Sequence, residues 1–233
     1  MAGSIKTHFL TILLALLGGF GGAAIWSYSG LASAQTRAYL VENPDILPEM
    51  AEAYQRKQAA ERMAGLADQV NTAFPGAVLG NPNGSKVLVE FTDYNCPYCQ
   101  KSHADVTQLI AADPEVKVII REWPIFQGSD LAARMALAAA KQGKFAAFHE
   151  AMFRLGPANP QSINAAAQEA GLDLAQAQAD GQSAEIEAEL VSNASLAQRI
   201  GFTGTPSWVA GGEVLEGAVG FEALKKATDS TAK

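Results

Sequence analysis

The chain's two cysteines are Cys96 and Cys99, separated by Pro97 and Tyr98 in a Cys-x-x-Cys. Sulfurs so spaced reach one another, and the chemistry open to them is thiol–disulfide exchange, a static disulfide or half of a metal site. They stand where an apolar strand gives way to a helical stretch, a place where unpaired backbone N–H groups and the positive end of the helix dipole gather. An anionic sulfur at Cys96 is favoured there, whereas Cys99, one turn further in, is expected to be more buried and to hold its proton more firmly. Cys96 then attacks or is attacked in a mixed disulfide, and Cys99 resolves it. Pro97 restricts the turn, and both Pro97 and Tyr98 lie where they can tune redox poise.

Two further features belong with this pair. Glu90 precedes Cys96 by six residues, in the strand that leads to it. Buried, its carboxyl pKa would rise through desolvation, and it could accept the proton when Cys99 must attack; at a strand edge it would simply reach solvent. Gly204-Thr205-Pro206 precedes a hairpin signal. Brought against Cys96, the backbone of Thr205 could pair with an extended substrate segment by strand addition. X-Pro bonds are usually trans, so the residues alone leave the Thr205–Pro206 bond open. The competing readings of the cysteines are weak. Structural zinc takes four ligands, and beyond residue 34 the histidines are His103, expected on an exposed helix face, and His149. A structural disulfide across so short a loop would constrain little.

The elements that must hold these residues can be read along the chain. Lys86 to Thr92 (KVLVEFT) is an apolar run with little alternation, expected as a strand buried on both faces. A helix follows the cysteines to about Ala112, where Asp113-Pro114 stops it, and Val116 to Trp123 makes a second strand, completing a β-α-β unit. From Ser129 to about Ile200 the chain turns Ala-rich, with helices expected at Asp130–Lys141, Lys144–Arg154, Pro160–Ala170 and Ser183–Ile200, and a short one near Leu174–Gln178. Ser207–Ala210 and Val214–Glu216 flank Gly211-Gly212 as a hairpin, and Phe221–Ala227 is a last short helix. The order is β-α-β, inserted helical block, β-β-α.

Upstream, residues 35–72 read as a helical extension, with Met50, Ala53, Tyr54, Met63, Leu66 and Val70 at helical spacing and a start at Pro48. That stripe either docks on its own domain or pairs with copies of itself. Turn formers at 74–76 and 81–84 make a linker into a domain spanning 73–233, with the insertion at about 129–200. Residues 1–34 are set apart as an export signal or membrane anchor. Lys6 precedes an uncharged run, 9–26, broken by glycines at 18–22, and Ala32-Ser33-Ala34 offers a cleavage site near Ala34. Either form places the rest of the chain outside the cytoplasm. In the whole 233-residue chain hydrophobic residues make up 48%, enough for a proper core, and the net charge of −7 argues against nucleic acid as a partner.

The motifs Phe91-Thr92-Asp93-Tyr94-Asn95-Cys96-Pro97-Tyr98-Cys99, Arg121-Glu122-Trp123-Pro124-Ile125 and Gly204-Thr205-Pro206-Ser207-Trp208 resemble the DsbA-type branch of the thioredoxin superfamily. The resemblance covers roughly 75–233 and implies a thioredoxin-like α/β fold, a cis Thr205–Pro206 bond and a buried acid at Glu90. It implies no cofactor beyond the Cys96–Cys99 disulfide. Residues 36–58 are similar to the N-terminal region of ScsC-like members, some of which oligomerise through it and act as isomerases. Partners implied are unfolded or misoxidised exported proteins and a membrane protein that resets the cysteines, in the periplasm or on the extracytoplasmic face. Three functions follow: an oxidase, which is favoured, an oligomeric isomerase or reductase, and a non-catalytic metal-binding or chaperone module. The last is poorly supplied with ligands, since no Met-rich or His-rich tract is present.

Overall fold

The computed structural model describes residues 2–28 and 30–231, which divide into two compact units, 1–55 and 56–233. The first holds helices α1 (Ala2–Tyr28) and α2 (Leu31–Glu42), and α3 (Ile46–Met63) begins in it. α1 runs unbroken through Gly18–Gly22, which the sequence marks as a weak point; a Cβ at Gly18, Gly19, Gly21 or Gly22 would meet nothing within 4 Å. The side chains of Lys6, Phe9 and Ala32, on which the export reading draws, lie outside the described residues. Among the described residues no helix is long and apolar enough to cross a membrane. α3 starts at Ile46, two residues before the expected Pro48. Pro48 fits because it falls in the first turn, where backbone N–H groups have no acceptor within the helix.

The second unit is built on a five-stranded mixed sheet in the order β1-β3-β2-β4-β5. Its strands are β1 (Val78–Gly80), β2 (Lys86–Thr92), β3 (Val116–Glu122), β4 (Ser207–Ala210) and β5 (Glu213–Glu216). β2 and β3 pair in parallel across α5 (Pro97–Ala112), and the remaining pairs are antiparallel. β1 occupies part of what the sequence offers as a linker, because three residues between turn formers carry too little pattern to mark a strand. The helical block is α6 (Ser129–Lys141), α7 (Phe145–Leu155), α8 (Pro160–Glu169), α9 (Leu174–Gly181) and α10 (Ala184–Ile200), and α11 (Phe221–Asp229) closes the fold.

Strand alternation sorts the sheet residues between two cores. Leu88, Val118, Ile120 and Trp208 face one, with Cys96, Cys99, Val106 and the apolar sides of α6, α7 and α11. Val89, Phe91, Ile119 and Val209 face the other, with Leu196 and Ile200 of α10 and with Met63, Leu66 and Val70. The end of the 35–72 segment therefore docks on its own domain, while Tyr39, Val41, Leu47, Met50 and Tyr54 stay exposed.

Adjacent residues Arg121 and Glu122 on β3 point to opposite faces by the same alternation. On the second face Arg121, buried, donates from Nη1 to Glu189 Oε1 and Asn193 Oδ1, each at 3.0 Å. From Nη2 it donates to the carbonyls of Gln69, Val70 and Thr72 at the end of α4 (Ala67–Asn71). One guanidinium thus ties α4 and α10 to the sheet, supplying donors to helix-end carbonyls that would otherwise lack them. Replacing Arg121 with Met is expected to lower stability by about 3 kcal/mol, since it strands Glu189 and three carbonyls. A urea titration reads this as a lower midpoint at unchanged slope, and Arg121→Lys should recover only part of it.

Candidate functional site

The site forms where β2 ends and α5 begins. Cys96 is the residue before the first helical turn, with extended backbone, and Pro97 follows at the first helical position, where its missing N–H costs nothing. Cys96 Sγ donates to the carbonyl of Thr205 at 3.1 Å, bringing together two segments 109 residues apart. The Thr205–Pro206 bond is cis. Ser207 Oγ bonds Gly204 O at 2.6 Å and Gly217 N bonds Pro206 O at 2.8 Å, fixing the loop from both sides. Both thiols are free and both are buried, Cys96 at 2% exposure and Cys99 at 0%. Access to Cys96 is through a small cavity of about 90 Å³ between Pro97 and Gln100 on one side and Phe153, Gly156 and Pro157 on the other. Tyr98 stands outside, 62% exposed.

Glu90 lies on the sheet face that carries Leu88, Ile120 and Trp208, the face beneath Cys99. It is buried, not at a strand edge, and desolvation pushes its carboxyl up to about 8. Burial also raises the Cys99 thiol, and the nearby Glu90 charge raises it further. The buried Thr92 hydroxyl has no partner of ordinary hydrogen-bond geometry among the described residues, yet it faces Glu90 and Cys99 closely enough to favour their ionised forms slightly. A thiol and a carboxyl that both resist ionisation, side by side, form a pair between which a proton can pass.

Several residues that sequence reasoning passed over complete the site. Asp93 accepts from the backbone N–H groups of Asn95, Ile125 and Phe126 at 2.7–2.9 Å and from Ser129 Oγ, while its carbonyl accepts from Cys96 N at 3.1 Å. Asn95 donates to Gln127 O and accepts from Ala158 N at 2.6 Å. Together they fasten the cysteine loop to the turn before α6 and to the loop between α7 and α8, which walls the cavity. Tyr94 donates to Glu122 Oε1 at 2.9 Å and lies 2.8 Å from His149 Nδ1. His103 is not on an exposed face as expected. Its ring stacks on Phe153, its centroid is 5.3 Å from that of His149, and its Nε2 meets Glu150 at 2.7 Å. Asx residues beside the cysteines were the available signal for Asp93 and Asn95; nothing local marks Glu122 or His149, which only the fold brings to Tyr94. Among the described residues no group of three or more His, Cys, Asp or Glu is placed to hold a metal ion.

With this geometry in hand, comparison with known proteins is direct. The thioredoxin family model matches residues 72–230, and that of the copper resistance protein ScsC N-terminal domain matches residues 35–61. A thioredoxin-like oxidoreductase from Silicibacter pomeroyi is 46% identical, the match covering 66% of this chain and 90% of that one, with a TM-score of 0.63. A periplasmic thioredoxin-like protein from Salmonella enterica serovar Typhimurium is 28% identical over 72% of this chain and 95% of its own, at 0.65. The thiol-disulfide exchange protein alpha-DsbA2 from Wolbachia pipientis is 26% identical over 76% and 97%, at 0.70. Curated relatives include a Na(+)/H(+) antiporter NhaA 1 from Salinispora arenicola, 29% identical over 160 residues, of whose length the chain spans 24%. The chain belongs to the thioredoxin family, in the DsbA/ScsC-like branch of thiol–disulfide oxidoreductases.

Proposed function

We propose that the protein exchanges disulfides with exported proteins in the periplasm, through Cys96 and Cys99, and acts as an oxidase. The observation that carries this is the layered arrangement of Cys96 against Thr205 O, Cys99 beneath it and Glu90 below both. In the forward reaction a substrate thiolate attacks Cys96 Sγ, the Cys96–Cys99 bond breaks, and Cys99 leaves as a thiolate that takes the Glu90 proton. A second substrate thiolate then attacks the substrate sulfur of the mixed disulfide and Cys96 leaves, so the substrate is oxidised and the protein reduced. Re-oxidation by a membrane disulfide partner runs through a second mixed disulfide at Cys96. There Glu90 takes the Cys99 proton and Cys99 attacks Cys96 Sγ, expelling the partner's thiolate. Cys96 at the start of α5 supports the oxidase reading, because stabilising the reduced sulfur makes the disulfide a stronger oxidant. Pro97 and Tyr98 tune that balance, and the Thr205–Pro206 backbone receives an extended substrate segment.

A second reading rests on a separate observation. The ScsC-type match over 35–61 coincides with the exposed apolar residues Tyr39, Val41, Leu47, Met50 and Tyr54. In this reading the segment assembles copies of the chain, and the same cysteines serve an isomerase or reductase. Light scattering separates the two, a monomer favouring the oxidase.

The direct test is a trap. Cys96→Ala should form no mixed disulfide with a reduced or oxidised model peptide, whereas Cys99→Ser should accumulate one that survives on a non-reducing gel; exchange retained by Cys96→Ala contradicts the mechanism. Glu90 carries a pH prediction. A carboxyl held near 8 in the folded state acts as a base only as pH approaches 8, so the Cys99 resolution rate should climb to about pH 8 and level off. Glu90→Gln should slow that step and remove the inflection. Stability has a definite sign as well. The folded state keeps a proton that the unfolded state loses at the ordinary carboxyl pKa, so wild-type stability falls as pH rises from 4.5 to about 8. Glu90→Gln lacks this titration, and at about 1.4 kcal/mol per pKa unit its advantage should grow to a few kcal/mol across that window. Urea midpoints at several pH values measure it, and parallel curves for the two proteins would count against a buried, protonated Glu90.

A further inference from the structure

The exchange reaction leaves a proton question open. Glu90 is sealed beneath the cysteines, so a proton it takes from Cys99 must still reach water. On the neighbouring strand, Glu122 lies on the same face of the sheet, diagonal to Glu90 in the β2–β3 register, where Thr92 opposes Glu122 and Ile120 opposes Glu90. The two stand close enough for the Glu90 charge to raise the Glu122 carboxyl further. Glu122 is buried completely, and Tyr94 joins it to His149 through contacts of 2.9 and 2.8 Å. His149 is itself buried beside His103, whose Nε2 meets the exposed carboxylate of Glu150. The inner and outer ends each carry a buried polar atom with no hydrogen-bond partner among the described residues, Glu122 Oε2 and His103 Nδ1. Buried polar atoms left so are uncommon and call for a role.

We propose that Glu122, Tyr94 and His149 form a proton conduit between the acid beneath Cys99 and the surface at His103 and Glu150. This deepens the exchange reading and rests on it. In the outward direction neutral Glu122 gives its proton from Oε1 to Tyr94 Oη as the Glu90 proton arrives at Oε2. Tyr94's own hydroxyl proton passes to His149 Nδ1, and His149 releases its Nε2 proton toward His103 and solvent. Glu122 and Tyr94 end neutral, as they began, and His149 has exchanged one neutral tautomer for the other. The half-reaction that returns a proton to Cys99 runs the same steps backwards and restores the tautomer.

Burial supports this use of the three groups. It raises Glu122 and Tyr94 and lowers His149, so all three stay neutral unless a proton is passing. The ionisable groups around Glu122 are Tyr94, which donates to it, and Glu90 and Asp93, whose charges raise it, with His149 beyond Tyr94. Arg121, its neighbour in sequence, points to the opposite face of the sheet and neutralises none of them.

The experiment uses the full chain and follows, by stopped flow, the step in which Cys99 resolves a mixed disulfide at Cys96, across pH 5 to 10 in H2O and D2O. Tyr94→Phe keeps the ring and removes the shuttle. It should slow resolution on the order of tenfold or more at neutral pH, the lower end or below of what a positioned proton-transfer group contributes, and increase the solvent isotope effect. The equilibrium reduction potential should stay at the wild-type value. Glu122→Gln should slow the same step with its pH midpoint, set by Glu90, and the reduction potential both unchanged. Wild-type resolution rates in both folded variants would overturn the conduit while leaving the exchange reading intact. So would a Tyr94→Phe potential that shifts in proportion to the rate, the mark of a structural effect. Should Tyr94→Phe not fold, the resolution rate of Glu122→Gln at unchanged potential decides by itself. If the wild-type protein forms no resolvable mixed disulfide at Cys96, the exchange reading fails first.

Discussion

A sulfur with no exposure, lying over a buried carboxyl group, is an unfavourable place to make a thiolate, and this protein must make one there whenever Cys99 acts. Low dielectric and the Glu90 charge both resist it. In the proposed mechanism the same burial serves the site, because it raises Glu90 to about 8, where the carboxyl can trade a proton with the thiol instead of sitting permanently ionised. Cys96, also buried, has other neighbours. It stands at the start of α5, against the Thr205 carbonyl and at the edge of a cavity. The fold gives the two cysteines different surroundings three residues apart.

That difference survives only if the loop between β2 and α5 is held in place, and polar side chains do most of the holding. Asp93 gathers donors from its own loop and from the turn before α6, and Asn95 reaches both that turn and the α7–α8 loop. The inserted helices are thereby coupled to the cysteines by hydrogen bonds of short range and fixed direction, not by apolar contact alone. On the far face Arg121 does the same for α4 and α10. The segment Asp93 to Cys99 and the pair Arg121-Glu122 are thus two halves of one framework, one forming the site and the other bracing the sheet beneath it.

Much of this could be read from the chain. The Cys-x-x-Cys, the apolar strand before it and the Ala-rich block carry their structure locally, through spacing and composition, and β2, α5, β3 and the insertion lie within a few residues of where the pattern puts them. Glu90 was legible as a candidate from its place six residues before Cys96, while its burial, open from the residues alone, needed the family resemblance. The cis bond at Thr205–Pro206 needed the family resemblance, since no local feature demands it. What was not legible depends on long-range contact. β1 has three residues and no pattern of its own. His103 looks like a surface residue on α5 until α7 brings Phe153 and His149 against it. Glu122, in a strand of apolar residues, gives no sign that Tyr94 will reach it.

The most direct test of the central claim is the reduction potential of the Cys96–Cys99 pair in the full chain, equilibrated in graded glutathione buffers with free thiols trapped and counted. The account predicts a single reversible two-electron couple at the oxidising end of the range, about −120 mV, the value associated with a strong disulfide donor. A couple at about −200 mV or below would contradict the oxidase and turn the assignment to an isomerase or reductase. No reversible disulfide at all would contradict the redox account itself.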